Sequence, residues 1–368
     1  MSSFVEPAYG VRSLNDVLPA VAAALGVDAG LSPTSLSLPG ADSYVVALID
    51  GLGHELLARH RREAPFLHSL LGESGTAGIP STTATSLSSL GTASTPGQHG
   101  LVGFTARVPG TDRLLNHLFW DKQIDPVQWQ PNQTAFEALV RRGVAASVVS
   151  KQEFETSGLT RSVQRGASYV GAGDAEQRLA GALAAAAQRP SVTYVYDSDL
   201  DSTGHKHGVD SPQWRAQLSI IDDDMQELRG ALPDSTRLLV VADHGMVDGQ
   251  DRFDIDSEPA LRSGVSLLGG EARFRHLYCH VGAAGEVAAT WSELLAERAL
   301  VLTREQAIER GWFGAVDERV APRLGDVMVA ATGTTALFSS ADFGYEMGLV
   351  GLHGSLTPDE MHIPFLIS

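Results

Sequence analysis

Five apolar runs punctuate the chain, at residues 44–49, 145–149, 192–196, 237–242 and 363–367. Each has the length and the β-branched or apolar character of a strand buried on both faces, and the five read as parallel strands. Helical patterns alternate with them. Asn132 stands where it would cap a helix over 135–142, Asp174 precedes one over 175–188, and Asp210-Ser211-Pro212 opens a long one reaching about Arg229. Ser13 caps an amphipathic helix over 13–26. Strands alternating with helices predict an α/β fold, a mostly parallel central sheet with helices on both faces. From about Asp251 to Arg323 the rhythm breaks. That stretch carries a strand at 274–281, a helix at 286–299 and a second helix after Thr303, where Thr-Arg-Glu-Gln has the form of a capping box. It reads as a small α+β excursion inserted before the last strand of one catalytic domain spanning 1–368.

Composition narrows the class of partner. The formal net charge of −17 argues against a nucleic-acid polymer, since binding to a phosphate backbone draws on a basic surface. A small anionic substrate remains compatible, because bound metal ions reverse the potential locally. The single cysteine, Cys279, excludes an internal disulfide and a thiolate metal site, and reads as a small buried hydrophobe. No apolar run is long enough to span a bilayer, so no membrane partner is expected. The run 17–27 lacks the basic start of a signal peptide and contains Pro19, so a cytoplasmic location is expected.

The candidate chemistry lies in five short segments: Leu-Ile-Asp50-Gly-Leu-Gly, Pro80-Ser-Thr-Thr83, Asp201-Ser-Thr-Gly-His205, Asp243-His244-Gly and Gly-Leu-His353-Gly. Two of them directly follow strand-like runs and a third, with Asp201 and His205, follows another after a short loop, and ligands of open α/β sheets gather at the carboxyl ends of the strands. Three Asp, three His and one Thr hydroxyl make a ligand set for two divalent cations. Imidazole and carboxylate suit zinc and tolerate manganese or iron. Asp201 and His205, four apart in what reads as a Gly-containing turn, chelate one ion, and His353 closes that shell. Asp243 and His244 reach a common site only if the strand ends there, which Gly245 allows. Thr83 opens a helical pattern, where a hydroxyl sits beside unpaired backbone N–H groups. Two divalent ions against three carboxylates and an alkoxide leave the site near neutral, which suits a phosphodiester better than a dianionic monoester. Arg107 or Arg113 would add positive charge.

Taken together and in this order, the segments resemble the alkaline phosphatase superfamily, nearest to its nucleotide pyrophosphatase/phosphodiesterase branch. The resemblance covers the chain from about residue 44 to the end. It implies that Asp201, His205 and His353 hold one zinc and that Asp50, Asp243 and His244 hold the other. Thr83 is then both a ligand and the nucleophile, forming a covalent phospho-threonine that is later hydrolysed. The substrate implied is a small phosphorylated molecule carrying a phosphodiester or pyrophosphate bond. A phosphomonoesterase, a phosphonate C–P hydrolase and a metal-containing binding protein without catalysis are the alternatives on the same scaffold.

Two departures from the family pattern affect substrate recognition. Ala84-Thr85-Ser86 stands where the family has Phe-Pro-Asn, so half of an aromatic clamp is missing, and Tyr196 is the candidate for the other half. Phe104 occupies the place of an Asn that donates to a phosphoryl oxygen, with Asn116 or Thr105 as candidate replacements. His207 is a further candidate for a substrate contact, and His362 for orienting a metal ligand. The plain readings stand beside these. Asp50 and Asp243 taken singly would be turn residues, Tyr196 equally a core aromatic, His54 and His99 structural, and Asp222-Asp223-Asp224 a solvated helix face.

Overall fold

The structure, a computed structural model, describes residues 4–368. The first strand, β1 (Ser43–Ile49), is buried at every position. It shares a sheet with β2 (Ala145–Lys151), β3 (Ser168–Ala172), β4 (Ser191–Asp197) and β5 (Thr236–Val241). A second group comprises β6 (Val265–Glu271), β7 (Phe274–Cys279), β8 (Ala299–Thr303) and β9 (Val327–Ala331), and β10 (Phe365–Ile367) returns to the first. The central sheet has the order β10-β5-β1-β4-β2-β3. Five of its strands are parallel, and their apolar side chains are covered on both sides by helices. The last strand is antiparallel to β5, against the parallel direction expected of it. The reason is its approach. It follows the loop that carries His353, which lies at the carboxyl edge of the other strands, and a chain entering there runs back along the sheet.

The helices that matter here are α1 (Val17–Ala24), α2 (Thr83–Thr92), α3 (Ala135–Arg141), α4 (Ala175–Ala186), α5 (Asp199–His207) and α6 (Pro212–Ala231). Their starts follow capping chemistry. Asp174 and Ser211 each accept a backbone N–H of the first turn. The cap of α3 is Thr134 and not Asn132. Thr134 Oγ1 accepts from Glu137 N, and the Glu137 carboxylate answers Thr134 N at 2.9 Å. Ser13 stands at the head of a short 3₁₀ turn, Leu14–Asp16, that leads into α1, and its backbone N–H donates to Asp16 Oδ2 at 2.8 Å. In α6 the acidic run is only partly solvated. Asp222 is buried, and its carboxylate accepts from Phe66 N at 3.0 Å and Leu67 N at 2.7 Å, capping a neighbouring helix.

The second sheet is antiparallel throughout, in the order β6-β7-β9-β8, and packs its own core of Leu268, Leu277, Trp291 and Val329. Helices Ala284–Leu295 and Arg304–Glu309 belong to it, the latter opened by a Thr303 capping box. Its last strand reaches Ala331, past residue 323. A fully buried ion pair ties this sheet to the loop after His353: Arg273 donates to both Glu360 oxygens, at 3.0 and 2.6 Å. Glu360 also accepts from Ser355 N and Thr357 Oγ1, so its charge is fully hydrogen-bonded. No helix among the described residues is long and apolar enough to cross a membrane.

Candidate two-metal site

Register brings the distant segments together. Ile49 pairs with Asp197 and Leu48 with Val241, so β1, β4 and β5 end level with one another. Asp50 therefore leaves the sheet beside Asp243, and α5, which begins two residues after β4, delivers Asp201 to the same edge. Glycines set the spacing. Gly51 has φ +75°, and a Cβ there would stand 3.2 Å from Asp201 Cα. At Gly245 a Cβ would meet Asp359 O at 1.9 Å and Gly53 Cα at 2.9 Å. Gly245 thus serves close approach of two loops, with Gly51 supplying the left-handed turn.

Asp201 and His205 lie on helix α5 and not in a turn, so their four-residue spacing is that of one helix face. Gly204, which suggested the turn, sits where a Cβ would press on Met246 Sδ at 2.5 Å. His205 Nε2 is 3.3 Å from Asp201 Oδ2 and 3.3 Å from His353 Nε2. Asp50, Asp243 and His244 form the second group, with His244 Nε2 3.5 Å from Asp50 Oδ1 and 3.3 Å from Asp243 Oδ2. Within each trio the donor atoms lie within 4.8 Å of one another. The trios touch through the rings of His244 and His353, stacked at 3.6 Å. Thr83, the first residue of α2, places Oγ1 3.4 Å from Asp50 Oδ2 and 3.3 Å from His244 Nε2.

The hydrogen bonds fix what each group offers. The Nδ1 of His205, His244 and His353 lies 2.8, 3.0 and 3.0 Å from the carbonyls of Gly351, Gly245 and Ser81. A carbonyl only accepts, so each Nδ1 carries the proton and each Nε2 presents a bare lone pair to the site. Asp243 Oδ1 accepts from Gly51 N and His244 N, both at 3.0 Å. Tyr196 donates its hydroxyl to Asp50 Oδ2. One oxygen of each carboxylate is left buried without a partner: Asp50 Oδ1, Asp201 Oδ1 and Asp243 Oδ2. Burial drives the carboxyl pKa of Asp201 and Asp243 up to about 7 and that of Asp50 well above the usual range. It drives His244 down to about 3 and His353 well below normal. Orphaned carboxylate oxygens facing bare imidazole nitrogens are an arrangement that a divalent cation satisfies. Two such sites are present.

Two cavities of about 360 Å³ each meet at Thr83, sharing a wall of Leu118 and Phe119. One also touches Asp50, Tyr196, Phe154 and Lys151, and Tyr196 faces Phe154 at 6.2 Å. The other is bounded by His205, His353, Phe104, Glu271 and Tyr345. The remaining candidates fall outside both. Asn116 spends its side-chain carbonyl on Leu118 N and Phe119 N, each at 2.9 Å, and Thr105 donates to Gly270 O. His207 is exposed at the end of α5, and His362 bonds Glu55 at 2.9 Å with no metal-ligand candidate as its partner. Arg107 and Arg113 turn to Asp112 and Asp121. His99, by contrast, is buried between Ser89 and Leu101 N, as a structural residue is. Glu271 escaped the sequence reading because it belongs to no motif and comes from the second sheet.

A carboxyl-edge site of this kind on a mostly parallel sheet defines a metal-dependent hydrolase with a threonine at its centre. The family model for type I phosphodiesterase/nucleotide pyrophosphatase matches residues 44–356, and the chain belongs to that family, within the alkaline phosphatase superfamily. Solved structures agree on the fold. Murine ectonucleotide pyrophosphatase/phosphodiesterase 5, an inactive variant in complex with AMP, is 18% identical with a TM-score of 0.67, covering 89% of this chain and 87% of that one. The human protein gives 18% and 0.66 over the same shares. Phosphonoacetate hydrolase from Sinorhizobium meliloti 1021, in complex with phosphonoformate, is 18% identical with a TM-score of 0.67 over 92% of each chain. Among curated protein sequences nothing matches.

Proposed function

We propose that the chain hydrolyses phosphodiester or pyrophosphate bonds of a small substrate, with Thr83 as nucleophile. The observation that carries this is the pair of trios, one buried throughout and the other buried except at the half-buried His205, each with an orphaned carboxylate oxygen and both placed around one threonine hydroxyl. Asp201, His205 and His353 would hold one cation and Asp50, Asp243 and His244 the other, and the oxygen and nitrogen donors favour zinc. When bound, such a pair lowers the hydroxyl pKa and offsets charge on the phosphoryl oxygens. Asp50 and His244 hold the Thr83 hydroxyl in place. Thr82, the cap residue of α2, makes no side-chain cap bond, so the first N–H groups of the helix beside Thr83 stay free for a phosphoryl oxygen. A diester has two arms, and two cavities flank the nucleophile. Neither cavity contributes an unpaired Lys or Arg for a second phosphate charge, Lys151 being bonded to Asp199 at 2.7 Å.

The test is a substrate panel on zinc-loaded protein: bis-p-nitrophenyl phosphate, p-nitrophenyl phosphate and phosphonoacetate. The diester is expected to give the highest kcat/KM, and preference for either other compound overturns the assignment. Dialysis against a chelator is expected to abolish turnover, and zinc to restore it.

A further inference from the structure

We propose that Glu360 is a positioning residue for the reaction. Clamped by Arg273 of the second sheet, it holds the loop that carries His353 and, through Ser81, the segment that presents Thr83. The inference rests on the two-metal reading above and adds to it a residue that is not itself a candidate ligand.

The ties run outward from one carboxylate. Arg273, in the turn between β6 and β7, meets it as a fork, Nε to Oε1 at 3.0 Å and Nη2 to Oε2 at 2.6 Å. The guanidinium is itself fixed by the carbonyls of Gly333 and Thr335. Glu360 Oε1 also accepts from Ser355 N at 3.0 Å, and Oε2 from the Thr357 hydroxyl at 2.6 Å. Thr357 and Glu360 have the spacing of a capping box, yet Thr357 makes no side-chain cap bond, and both side chains serve this cluster instead. From Ser355 the contacts continue to the site. Residues 353–355 grip Ser81 at three points. His353 Nδ1 donates to Ser81 O at 3.0 Å, Ser81 N to Gly354 O at 3.1 Å, and Ser81 Oγ to Ser355 O at 2.6 Å. Ser81 stands two residues before Thr83. On the other side, the backbone carbonyl of Glu360 accepts from Gly245 N at 2.8 Å, one residue past His244. Arg273, Glu360, Ser355 and Ser81 are all fully buried, so water cannot stand in for a lost acceptor, and an unpaired Ser355 N is relieved only by movement of the loop. Small errors in the placement of a nucleophile are felt directly in rate.

Two double variants test this, and neither leaves a lone buried ion, because both partners lose their charge together. Arg273→Met with Glu360→Leu deprives Ser355 N of its acceptor. Arg273→Met with Glu360→Gln keeps one in the amide carbonyl. The Gly245 tie is made by the backbone and survives in both. Titration calorimetry of metal-free protein with zinc is expected to show one of two ions bound about 10- to 100-fold more weakly in the first variant, and the other as in the wild type. At saturating zinc, kcat for bis-p-nitrophenyl phosphate is expected to fall about 10-fold in that variant with KM unchanged. The second variant is expected to recover both properties. A pair that only supports the fold would lower Tm in either variant and leave the folded protein's zinc affinity and kcat alone. Two zinc ions held with wild-type affinity in the first variant therefore overturn the proposal, as do equal defects in the two. If neither variant folds, Ser81→Ala decides, since it removes only the hydroxyl tie to Ser355. Weaker binding of one zinc ion then supports the proposal, and unchanged binding overturns it. Wild-type protein that takes up no zinc overturns the two-metal reading and this inference with it.

Discussion

Thr83 is one of four neighbouring hydroxyl residues, yet only its oxygen lies within 3.5 Å of both Asp50 and His244. Thr83→Ala removes the proposed nucleophile and leaves six carboxylate and imidazole donors. Turnover is expected to fall by at least about 10³-fold, as on loss of a covalent nucleophile. Zinc content by elemental analysis should stay near that of the wild type. Full activity in the variant would assign the attack elsewhere. Tyr196 has a subtler part. Its hydroxyl donates to Asp50 Oδ2, and burial lifts its pKa well above the usual value, so it remains a donor at any working pH. Tyr196→Phe keeps the ring and removes the donor. Zinc affinity, measured by competition with a chelating dye, should weaken by about 10- to 100-fold, the scale found when a partner of a metal ligand is lost. Unchanged affinity would leave Tyr196 only a place in the cavity wall.

At the scale of elements, the site depends on strand ends held level and on loops that pass very close. Gly53, after β1, and Gly245, after β5, pack against each other with Asp359 O wedged beside them. In Gly245→Ala the new methyl would meet backbone atoms that cannot swing aside. A loss of about 1–3 kcal/mol is expected by denaturant unfolding, with weaker zinc binding because Asp243 and His244 shift together. A variant as stable as the wild type would show the contact to be slack. These elements also show what sequence discloses. The runs that became β1, β4 and β5 were legible because strands covered on both faces are mostly apolar or β-branched, and Asp50, Asp201 and Asp243 were legible because each comes soon after such a run. The direction of β10 was not legible, since three apolar residues look the same either way and only the loop before them decides. Gly204 misdirected the reading of α5: its small size answers to Met246, not to a bend. Phe119, Tyr345 and Glu271 were invisible as a group. They lie on separate elements with no shared spacing, and only packing of the second sheet against the first brings them to one cavity.

Across the whole molecule, the site stores a conflict that its cation must resolve, and pH exposes it. In the metal-free protein the buried carboxyls of Asp201 and Asp243 titrate near 7, and Asp50 is also raised, whereas in the unfolded chain they titrate near 4. Their contribution to stability is therefore full below about pH 4 and is lost as pH rises through about 7. His244 and His353 act in the opposite sense. Their folded pKa values lie below the unfolded value of about 6.5, so their contribution is present above that pH and is lost on acidification. Between about pH 4 and 6.5 the two effects oppose each other, and above 6.5 only the carboxyls still change. The metal-free protein should thus lose stability as pH passes through about 7. Zinc bound by these trios would displace protons from the same carboxyls, so its binding should strengthen with pH. With zinc at about 1,000 times Kd, each site would add about 4 kcal/mol. The rise in Tm on adding zinc to chelator-stripped protein should therefore be larger at pH 8 than at pH 5.5, as measured by calorimetry. A rise that is equal at both values, or larger in acid, would mean that these carboxylates do not hold the metal.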